Sequence, residues 1–317
     1  MEKKLGTIAF YNVENFYAKT VEEDPSFLPS NFSKWVDNRY DIKVKNIAQA
    51  IAQIGRKETN EPPLFIGLAE VENESVLKDL VQHPYLKYSN YSYLLYESLD
   101  ERKINVACLY NKEMIKLISS EPIRMVFKDA TGSTSYTRDI LYVKANLNEH
   151  LIHFFVVHLP SKLDQEINQQ KRKLILEALR DRIDQIFEND AQAQLIVMGD
   201  FNDTPTADNI RLCLDTRAQE NQMSKKTLYN PMVSLMSYKR GSLVHRKQWM
   251  LFDQLLFSPS FLTKNKAIEH IKTDIFDASF LTTNIGKLGA FPHRTFVGSK
   301  YLGGYSDHFP VFTIIKY

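Results

Sequence analysis

The sequence predicts an α/β (α+β) fold, a four-layer sandwich in which two packed mixed β-sheets are flanked by helices. Short apolar, strand-like segments recur along all 317 residues. Between them lie longer segments in which apolar residues recur at helical spacing. The chain contains no evident internal repeat, low-complexity tract or linker. Because a sheet face and an amphipathic helix each need another layer over their apolar side, this mixed order predicts helices that cover two packed sheets.

The predicted elements alternate along the chain. One helical face over 44–54 is apolar, and Gly55 suits the end of that helix. A longer amphipathic helix is predicted over 174–186, and a short helix over 75–81. The strand-like segments lie at 8–10, 64–69, 104–110, 115–118, 140–145, 152–157, 195–198, 251–256 and 311–315.

Length and composition bound the class of protein and its domain count. With 44% hydrophobic and 25% charged residues, the chain is an ordinary globular protein. Its length would suit two average domains, but large α/β sandwiches of this size also occur as one domain. Polar motifs from residue 12 to residue 308 have to meet in one site, so we expect a single domain over 1–317.

The charge balance and the numbers of cysteines and glycines argue against several classes of protein and site. Lys and Arg number 40 and Asp and Glu 38, a formal charge of +2, so overall charge does not argue for nucleic acid, although a local basic rim stays open. Cys108 and Cys213 give neither a disulfide framework nor a thiolate metal site. With 11 glycines and no Walker-type loop, the sequence disfavours an ATP-dependent phosphotransferase.

The start of the chain carries no recognisable targeting segment. Residues 1–4 lead directly into the first strand, without the apolar core of a signal peptide, and no stretch is long enough to cross a membrane. We therefore expect a cytoplasmic protein. A chain whose signal peptide had been removed would look the same and would be secreted or periplasmic. No obligate protein partner is evident.

Two polar clusters next to apolar strands are the strongest indication of function. The segment GDFND, residues 199–203, follows the strand at 195–198, and SDHFP, residues 306–310, precedes the strand at 311–315. Loops at strand ends place reactive groups on a rigid sheet. An Asp with an Asn two residues later, together with an Asp-His pair, is suited to activating water and holding a phosphate beside a hard cation.

Three further strands end in residues of the same kind. Asn12 follows the first strand, Glu70 the strand at 64–69, and His158 the strand at 152–157. A carboxylate directly after a buried strand is poorly placed for simple solvation, so Glu70 is a candidate metal ligand; an acid at the N-terminus of the next helix is the alternative. Asn12 offers a carbonyl oxygen to the same cation, or alternatively forms an Asx-type turn.

The 199–203 segment supplies candidate groups for acid–base chemistry. Asp200 suits a general base that aligns and deprotonates the attacking water. The amide of Asn202 can donate to a phosphate oxygen while its carbonyl holds the water. Gly-Asp-x-Asn also suits a tight turn in any protein; the neighbouring motifs favour the catalytic interpretation.

Taken in this order, the segments resemble those of the endonuclease/exonuclease/phosphatase superfamily. Its members include pancreatic deoxyribonuclease, exonuclease III-type abasic-site endonucleases, sphingomyelinases and inositol polyphosphate 5-phosphatases. The resemblance extends from Asn12 to Pro310, and GDFN together with SDHxP is specific. It implies two packed sheets with outer helices and a site for Mg²⁺, which Mn²⁺ can replace. The metal ligands it implies are Glu70, Asn12 and Asp307, with Asp307 open between metal binding and catalysis.

The resemblance also implies a catalytic set. The family histidine matched by His308 donates to the non-bridging phosphate oxygens in the transition state. An aspartate orients that histidine, and the matching residue is Asp253, whose place inside an apolar strand is costly unless it is paired. His158 resembles the second phosphate-contacting histidine of the nuclease branch. Asp200 and Asn202 complete the set.

Three basic residues are further candidates for contacts to the substrate phosphate. Arg138 matches an arginine that is frequent in the family, with a surface or strand-edge arginine as the alternative. Lys162 follows the His158 motif, and Arg294 lies in the loop ahead of SDHFP.

The predicted activity is metal-dependent phosphoester hydrolysis, in which metal-activated water attacks phosphorus in line. A phosphodiesterase or nuclease is favoured because the His158 motif resembles that of the nuclease branch, while the markers of abasic-site endonucleases after Asn12 and of inositol phosphatases after Asp253 are both absent. The first alternative is a phosphomonoesterase for a small phosphorylated metabolite or an inositol or lipid headgroup. The second is a non-catalytic binding module with the same fold. The partner is a phosphoester substrate, with nucleic acid among the candidates.

Overall fold

The predicted fold class is confirmed in the computed structural model, which describes residues 4–19, 37–128, 132, 134–161, 165–237, 240–264, 266–284 and 290–317. Within this part of the chain, two mixed sheets of six and seven strands carry most of the strand residues. None of the described helices is long and apolar enough to cross a membrane.

The first sheet has the strand order β16-β21-β1-β2-β4-β3. β1 and β2 are parallel, and the other neighbours are antiparallel. Its strands are β1 (Leu5–Phe16), β2 (Phe65–Val71), β3 (Tyr91–Leu95), β4 (Asn105–Asn111), β16 (Glu269–Ile275) and β21 (Val311–Lys316).

The second sheet has the strand order β11-β12-β15-β10-β9-β8-β5. β9 and β10 run parallel, whereas β10 and β15 run antiparallel. Its strands are β5 (Ile115–Ile123), β8 (Ile140–Leu147), β9 (His150–His158), β10 (Gln194–Asp200), β11 (Thr216–Arg217), β12 (Leu228–Tyr229) and β15 (Asp253–Phe257).

Four short two-stranded sheets, five α-helices and several short 3₁₀ or π-helical turns complete the described structure. The short sheets are β6 (Val126–Lys128) with β7 (Thr134–Tyr136), β13 (Leu243–His245) with β14 (Gln248–Met250), β17 (Thr282–Asn284) with β18 (Ala290–Pro292), and β19 (Phe296–Val297) with β20 (Lys300–Tyr301). The helices are α1 (Asp37–Gln53), α2 (Arg56–Thr59), α3 (Glu74–Gln82), α4 (Gln165–Asn189) and α5 (Met232–Leu235).

Alternation along the central strands builds the layers. Phe154 and Val156 on β9 face the core shared with the first sheet, whereas Phe155 and Val157 face a second core beneath α4. Successive side chains on a strand point to opposite faces, so both faces of the second sheet are covered. Phe65 of β2 stacks on Phe154 with ring centroids 3.9 Å apart, which joins the two sheets directly.

Strand register gathers three of the candidate catalytic residues. Asp200 at the end of β10 is in register with His158 on β9 and with Asp253 on β15. Gly199 permits this close approach, because a Cβ there would collide with the main-chain carbonyl of Val157. The same end of the second sheet therefore carries a carboxylate on two neighbouring strands and an imidazole on a third.

Two strands continue beyond the ends that the sequence predicts. β1 runs through Asn12 to Phe16, with an irregular register and left-handed backbone at Glu14 and Asn15. In β2, Glu70 itself has φ 66° and interrupts the pairing with β4. Bulges of this kind redirect a side chain without ending the strand, so both polar residues leave the regular pleat while pairing continues past them.

Candidate active site

Asp200 lies at the centre of a buried polar cluster. Its Oδ2 accepts a hydrogen bond of 3.1 Å from Asn12 Nδ2, which connects the two large sheets. The Nε2 atoms of His158 and His308 lie 3.8 and 3.9 Å from the same oxygen. The main-chain N–H of Asn202 donates to Asp200 Oδ1 at 2.9 Å. The other sheet therefore orients one oxygen of this carboxylate, and the main chain two residues further on orients the other.

His308 forms the tightest ion pair of the site with Asp253. Its Nδ1 lies 2.7 Å from Asp253 Oδ2, and both side chains are buried. Burial alone would lower the pKa of His308, but the hydrogen-bonded Asp253 and the nearby Asp200 and Asp307 raise that pKa well above its usual value. The imidazole is therefore charged at neutral pH, and its Nε2–H is directed toward Asp200.

Asp200 is a weaker acid than an ordinary aspartate. Burial raises its pKa to about 7; charged His308 lowers that pKa and neighbouring Asp253 raises it. A carboxylate with a pKa near neutrality takes a proton from water more readily than an exposed one. This property suits a general base.

His158 differs from His308 in its charge. Burial lowers the pKa of His158 well below its usual value, with further lowering by the cations Arg138 and Arg102. Its Nε2 faces Glu70 and Asp200, and its Nδ1 is buried without a hydrogen-bond partner in the described structure. We assign the single ring proton to Nε2, because that nitrogen faces two carboxylates.

Glu70 and Asn12 present oxygens suited to a hard cation. Glu70 Oε2 accepts the main-chain N–H of Asn15 at 2.7 Å, while Oε1 lies 3.9 Å from His158 Nε2, beyond hydrogen-bond distance. Asn12 Oδ1 accepts the N–H of Glu14 at 3.1 Å and keeps a second lone pair. A mostly buried carboxylate beside an oriented amide oxygen fits Mg²⁺ chemistry.

The alternative of a helix N-terminal acid is less suited to Glu70. Asn73 is the N-cap of α3, and its side chain accepts the main-chain N–H groups of Ser75 and Val76. Glu74 occupies the first turn of that helix. Glu70 lies ahead of the cap and points instead toward His158.

Asp307 is paired with Arg294 in this structure. Arg294 Nη2 donates to Asp307 Oδ2 at 2.8 Å, and its Nε lies 3.4 Å from Oε1 of buried Glu14. Ser306 Oγ donates to the carbonyl of Asn12 at 2.6 Å, which seats the segment before His308 against β1. Asp307 is thus on the same side of the site as Asn12.

Asn202 and Arg138 both donate hydrogen bonds to the loop after His158. Asn202 has a left-handed backbone, and its Nδ2 donates to the carbonyl of Leu159 at 2.9 Å. Arg138 is buried, donates to that carbonyl at 3.0 Å and pairs with Asp100 at 3.2 Å. Lys162 lies outside the described residues.

Asp200, Asp253 and His308 form another candidate cation site, with ligand atoms within 4.8 Å of one another. A cation among them would have to replace the 2.7 Å hydrogen bond of His308 and face a charged imidazole. Electrostatics therefore favour proton handling by this group and cation binding by the acceptors around Glu70 and Asn12.

Sequence reasoning did not identify the residues that hold the catalytic loops. Arg172 of α4 donates to the carbonyls of Pro160 and Ser161, although its sequence neighbours resemble a solvated face. Lys43 of α1 donates its buried ammonium to Thr295 Oγ1 and to the carbonyl of Tyr305. Their partners are main-chain or distant groups, so the local pattern carries little signal for them; a basic side chain on the flank of an apolar helical face was the available hint.

Comparisons with solved structures show the same fold at low sequence identity. The chain matches TDP2 from D. rerio, in a complex with single-strand DNA product, with TM-score 0.57, 15% identity and coverage of 98% of both chains. It matches a mannosyl-6-phosphatase from Bacteroides thetaiotaomicron with TM-score 0.59, 14% identity and coverage of 98% of this chain and 99% of the other. The human Nocturnin catalytic domain with bound sulfate gives TM-score 0.55 and 14% identity, with coverage of 99% and 97%.

Sequence comparison gives the family directly. No curated protein matches the chain in sequence. The model of the endonuclease/exonuclease/phosphatase family matches residues 7–317, which include every motif described above. This chain therefore belongs to the endonuclease/exonuclease/phosphatase family.

Proposed function

We propose that this protein is a metal-dependent phosphodiesterase in which an activated water attacks phosphorus in line. The observation that carries the proposal is the position of Asp200, whose Oδ2 lies within 4 Å of two imidazoles and accepts the Asn12 amide. A basic carboxylate between a charged and a neutral imidazole combines a water-activating group with donors for a phosphate.

Each residue of this cluster has a distinct role in the proposed mechanism. Asp200 accepts the proton of the attacking water, which its raised pKa favours. Asp253 holds Nδ1 of charged His308, so Nε2–H is free to donate to a non-bridging oxygen as negative charge grows there. Neutral His158 offers a second donor, and Asn202 keeps the loops around Asp200 and Leu159 together.

Glu70 and Asn12 are the residues that would hold the divalent metal, with Asp307 as a third candidate. When bound, such a metal neutralises charge on the phosphate and lowers the pKa of coordinated water. Asn12 has a second function in this arrangement, because its amide also orients Asp200.

The pairing of the arginines favours a diester over a monoester. A phosphomonoester dianion needs more neutralising charge than a diester monoanion. Among the described candidates for phosphate contact, Arg138 is paired with Asp100, and Arg294 with Asp307 and Glu14. The cationic charge available near Asp200 therefore suits the single charge of a diester.

The test is the metal-dependent hydrolysis of two chromogenic esters. Bis-p-nitrophenyl phosphate should be hydrolysed with Mg²⁺ or Mn²⁺, faster than p-nitrophenyl phosphate, and a chelator should abolish turnover until metal is returned. Asp200→Asn controls for a contaminating hydrolase.

A panel of plasmid DNA, single-stranded RNA, nucleotides, inositol phosphates and sphingomyelin then compares natural esters. The structural similarity to TDP2 in a complex with DNA supports including nucleic acid. Phosphate release from monoesters without diester cleavage would overturn the proposal.

A further inference from the structure

A small, mostly apolar pocket adjoins the candidate active site. Its volume is about 220 Å³, and the apolar part of its lining comes from Val244, Phe291, Pro292, Val297 and Leu302. Asp307 and Arg294 also line it, so the pocket opens onto the side of the site where the 306–308 segment lies.

The walls of this pocket belong to the short hairpins and not to the large sheets. Val244 is on β13, Phe291 on β18 and Val297 on β19. Two contacts fix the β13–β14 hairpin to the segment that carries His308. Leu243 forms a β-bridge with His308, and the N–H of Phe309 donates to the carbonyl of Ser242 at 2.6 Å. The pocket is therefore held at a defined position relative to His308.

An aromatic stack stiffens the pocket from behind. The Trp249 ring lies 5.7 Å from Phe291 and 6.0 Å from Phe309, centroid to centroid. Phe291 is only partly buried and lines the opening, so a flat ring can pack against this wall. Exposed Lys247, in the β13–β14 turn, adds a cation at the rim.

We propose that this pocket takes the planar ring of a substrate, of nucleobase size, attached to the phosphodiester at Asp200. The inference rests on the proposed phosphodiesterase function and adds a class of substrate to it. A cavity of about 150 Å³ lined by apolar side chains holds benzene, so the larger pocket accommodates a single substituted ring or a nucleobase. Exposed Lys247 at the same opening favours a ring that carries a phosphate.

Two esters with the same leaving group test the ring preference. The probes are p-nitrophenyl thymidine-5′-phosphate and methyl p-nitrophenyl phosphate, each assayed with Mg²⁺. The wild type should prefer the thymidine ester by about tenfold or more in kcat/KM, within the range that stacking of a base on an aromatic side chain provides. Val297→Trp, which fills the pocket, should remove most of this preference while changing kcat/KM for the methyl ester less than about twofold.

The chain offers a matched control for this variant. Val297 is 52% exposed on β19, and Val126 is 53% exposed on β6, another short hairpin outside the large sheets. Val126→Trp should leave both esters at the wild-type rate. Two results would overturn the pocket assignment without affecting the proposed diesterase activity. One is equal kcat/KM values for the two esters in the wild type, and the other is an equal reduction of kcat/KM for both esters in Val297→Trp.

A binding measurement separates the two proposals. Thymidine 5′-monophosphate should bind the wild type in isothermal titration calorimetry, and Val297→Trp should weaken that binding about tenfold. Binding of this kind without turnover of either ester would overturn the proposed function and support the pocket. If thymidine 5′-monophosphate does not bind, or if Val297→Trp leaves its binding unchanged, the pocket assignment is overturned.

Discussion

At the scale of single residues, neighbouring charges give two buried histidines of one site opposite protonation states. Burial favours the neutral form of both rings. His308 has a buried carboxylate at 2.7 Å and is charged, whereas His158 has carboxylates only at 3.8 and 3.9 Å, stands near Arg138 and Arg102, and is neutral. The cluster thus presents one cationic and one neutral donor to a substrate.

Asp200→Asn and His308→Ala should each lower kcat by at least about a hundredfold, because both side chains act on the transition state. The measurement is steady-state hydrolysis of bis-p-nitrophenyl phosphate at saturating metal. Circular dichroism serves as the control for folding. A variant that folds and retains more than about half of the wild-type kcat would remove that residue from the catalytic set.

Glu70→Ala should raise the metal concentration needed for half-maximal activity about tenfold or more. The variant removes the carboxylate that we propose as the principal metal ligand. A Mg²⁺ titration of activity measures the change. Glu72→Ala is a nearby control, since Glu72 lies two residues along the chain and its carboxylate accepts the main-chain N–H of Ala18. Identical metal curves for wild type and Glu70→Ala would exclude this ligand.

His153 should make folding stability depend on pH. Burial, together with nearby Lys144, lowers its pKa to about 4. Between its unfolded value near 6.5 and that folded value, the unfolded chain binds the proton and the folded one does not, so this residue reduces stability as pH falls through that window. His153→Gln retains a partner for the Tyr142 hydroxyl but cannot titrate.

The free energy of unfolding should therefore depend less steeply on pH between 6.5 and 4 in His153→Gln than in the wild type. The difference in slope should correspond to nearly one proton taken up on unfolding. Urea unfolding at several pH values measures that slope. Comparing the variant with wild type cancels the other groups that titrate in the same range. Parallel curves for the two proteins would show that His153 titrates normally in the folded state.

At the scale of elements, β15 contributes two adjacent residues with different functions. Asp253 pairs with His308, while Gln254 Nε2 donates to the carbonyl of Asp203 at 2.8 Å. Asn230 Nδ2 donates to Gln254 Oε1 at 3.0 Å, and both amides are fully buried. The strand thus holds the histidine with one residue and the loop after Asp200 with the next.

Gln254→Met should lower kcat about tenfold or more with a smaller effect on KM, because the loop directly after Asp200 loses its anchor. It also leaves the Asn230 amide unpaired, which costs roughly 1–3 kcal/mol of stability. Gln194→Met is the matched control: Gln194 also donates to a main-chain carbonyl, that of Ile268, but lies at the far end of β10. Equal kcat values for the two variants would assign Gln254 a structural role alone.

Helix α1 shows how an element serves both the core and the site. Val44 and Ile47 face the core, while Lys43 and Asn46 donate to carbonyls of the segment that leads into Ser306. The apolar face was evident from its spacing. The polar face was not, because its partners lie about 250 residues away in the chain and no local pattern encodes them.

At the scale of the whole molecule, the site depends on contact between the two sheets. Asn12 of the first sheet donates to Asp200 of the second, and Phe65 of the first sheet stacks on Phe154 of the second. Residues from β1, β2, β9, β10 and β15 therefore have to be assembled together before the cluster exists. We propose on this basis that 1–317 is a single domain.

A single domain should unfold in one cooperative transition. Tryptophan fluorescence and far-ultraviolet circular dichroism should give coincident urea curves for the wild type. Phe154→Ala, which removes the ring between the sheets, should lower stability by about 3–5 kcal/mol and keep the two curves coincident. Separate transitions for the two probes would contradict a single domain.

The sequence alone determined the fold class, the strands that carry the motifs and the kind of chemistry. The resemblance to the family also implied the His308–Asp253 pair, and the cost of an unpaired carboxylate inside an apolar strand agreed with it. The fold class and the strands follow from local apolar periodicity, and the kind of chemistry follows from the residue types at strand ends. Both signals are contained in short segments of the sequence.

Tertiary structure decided what those residues contact and how they are charged. The bulge at Glu70, the ion pairs of Arg138 and Arg294, and the hairpin pocket around Phe291 each join segments that are distant in sequence. Burial and neighbouring charge, which exist only after the sheets pack, make His158 neutral and Asp200 a stronger base. Such effects depend on distances in space, and spacing along the chain carries no measure of them.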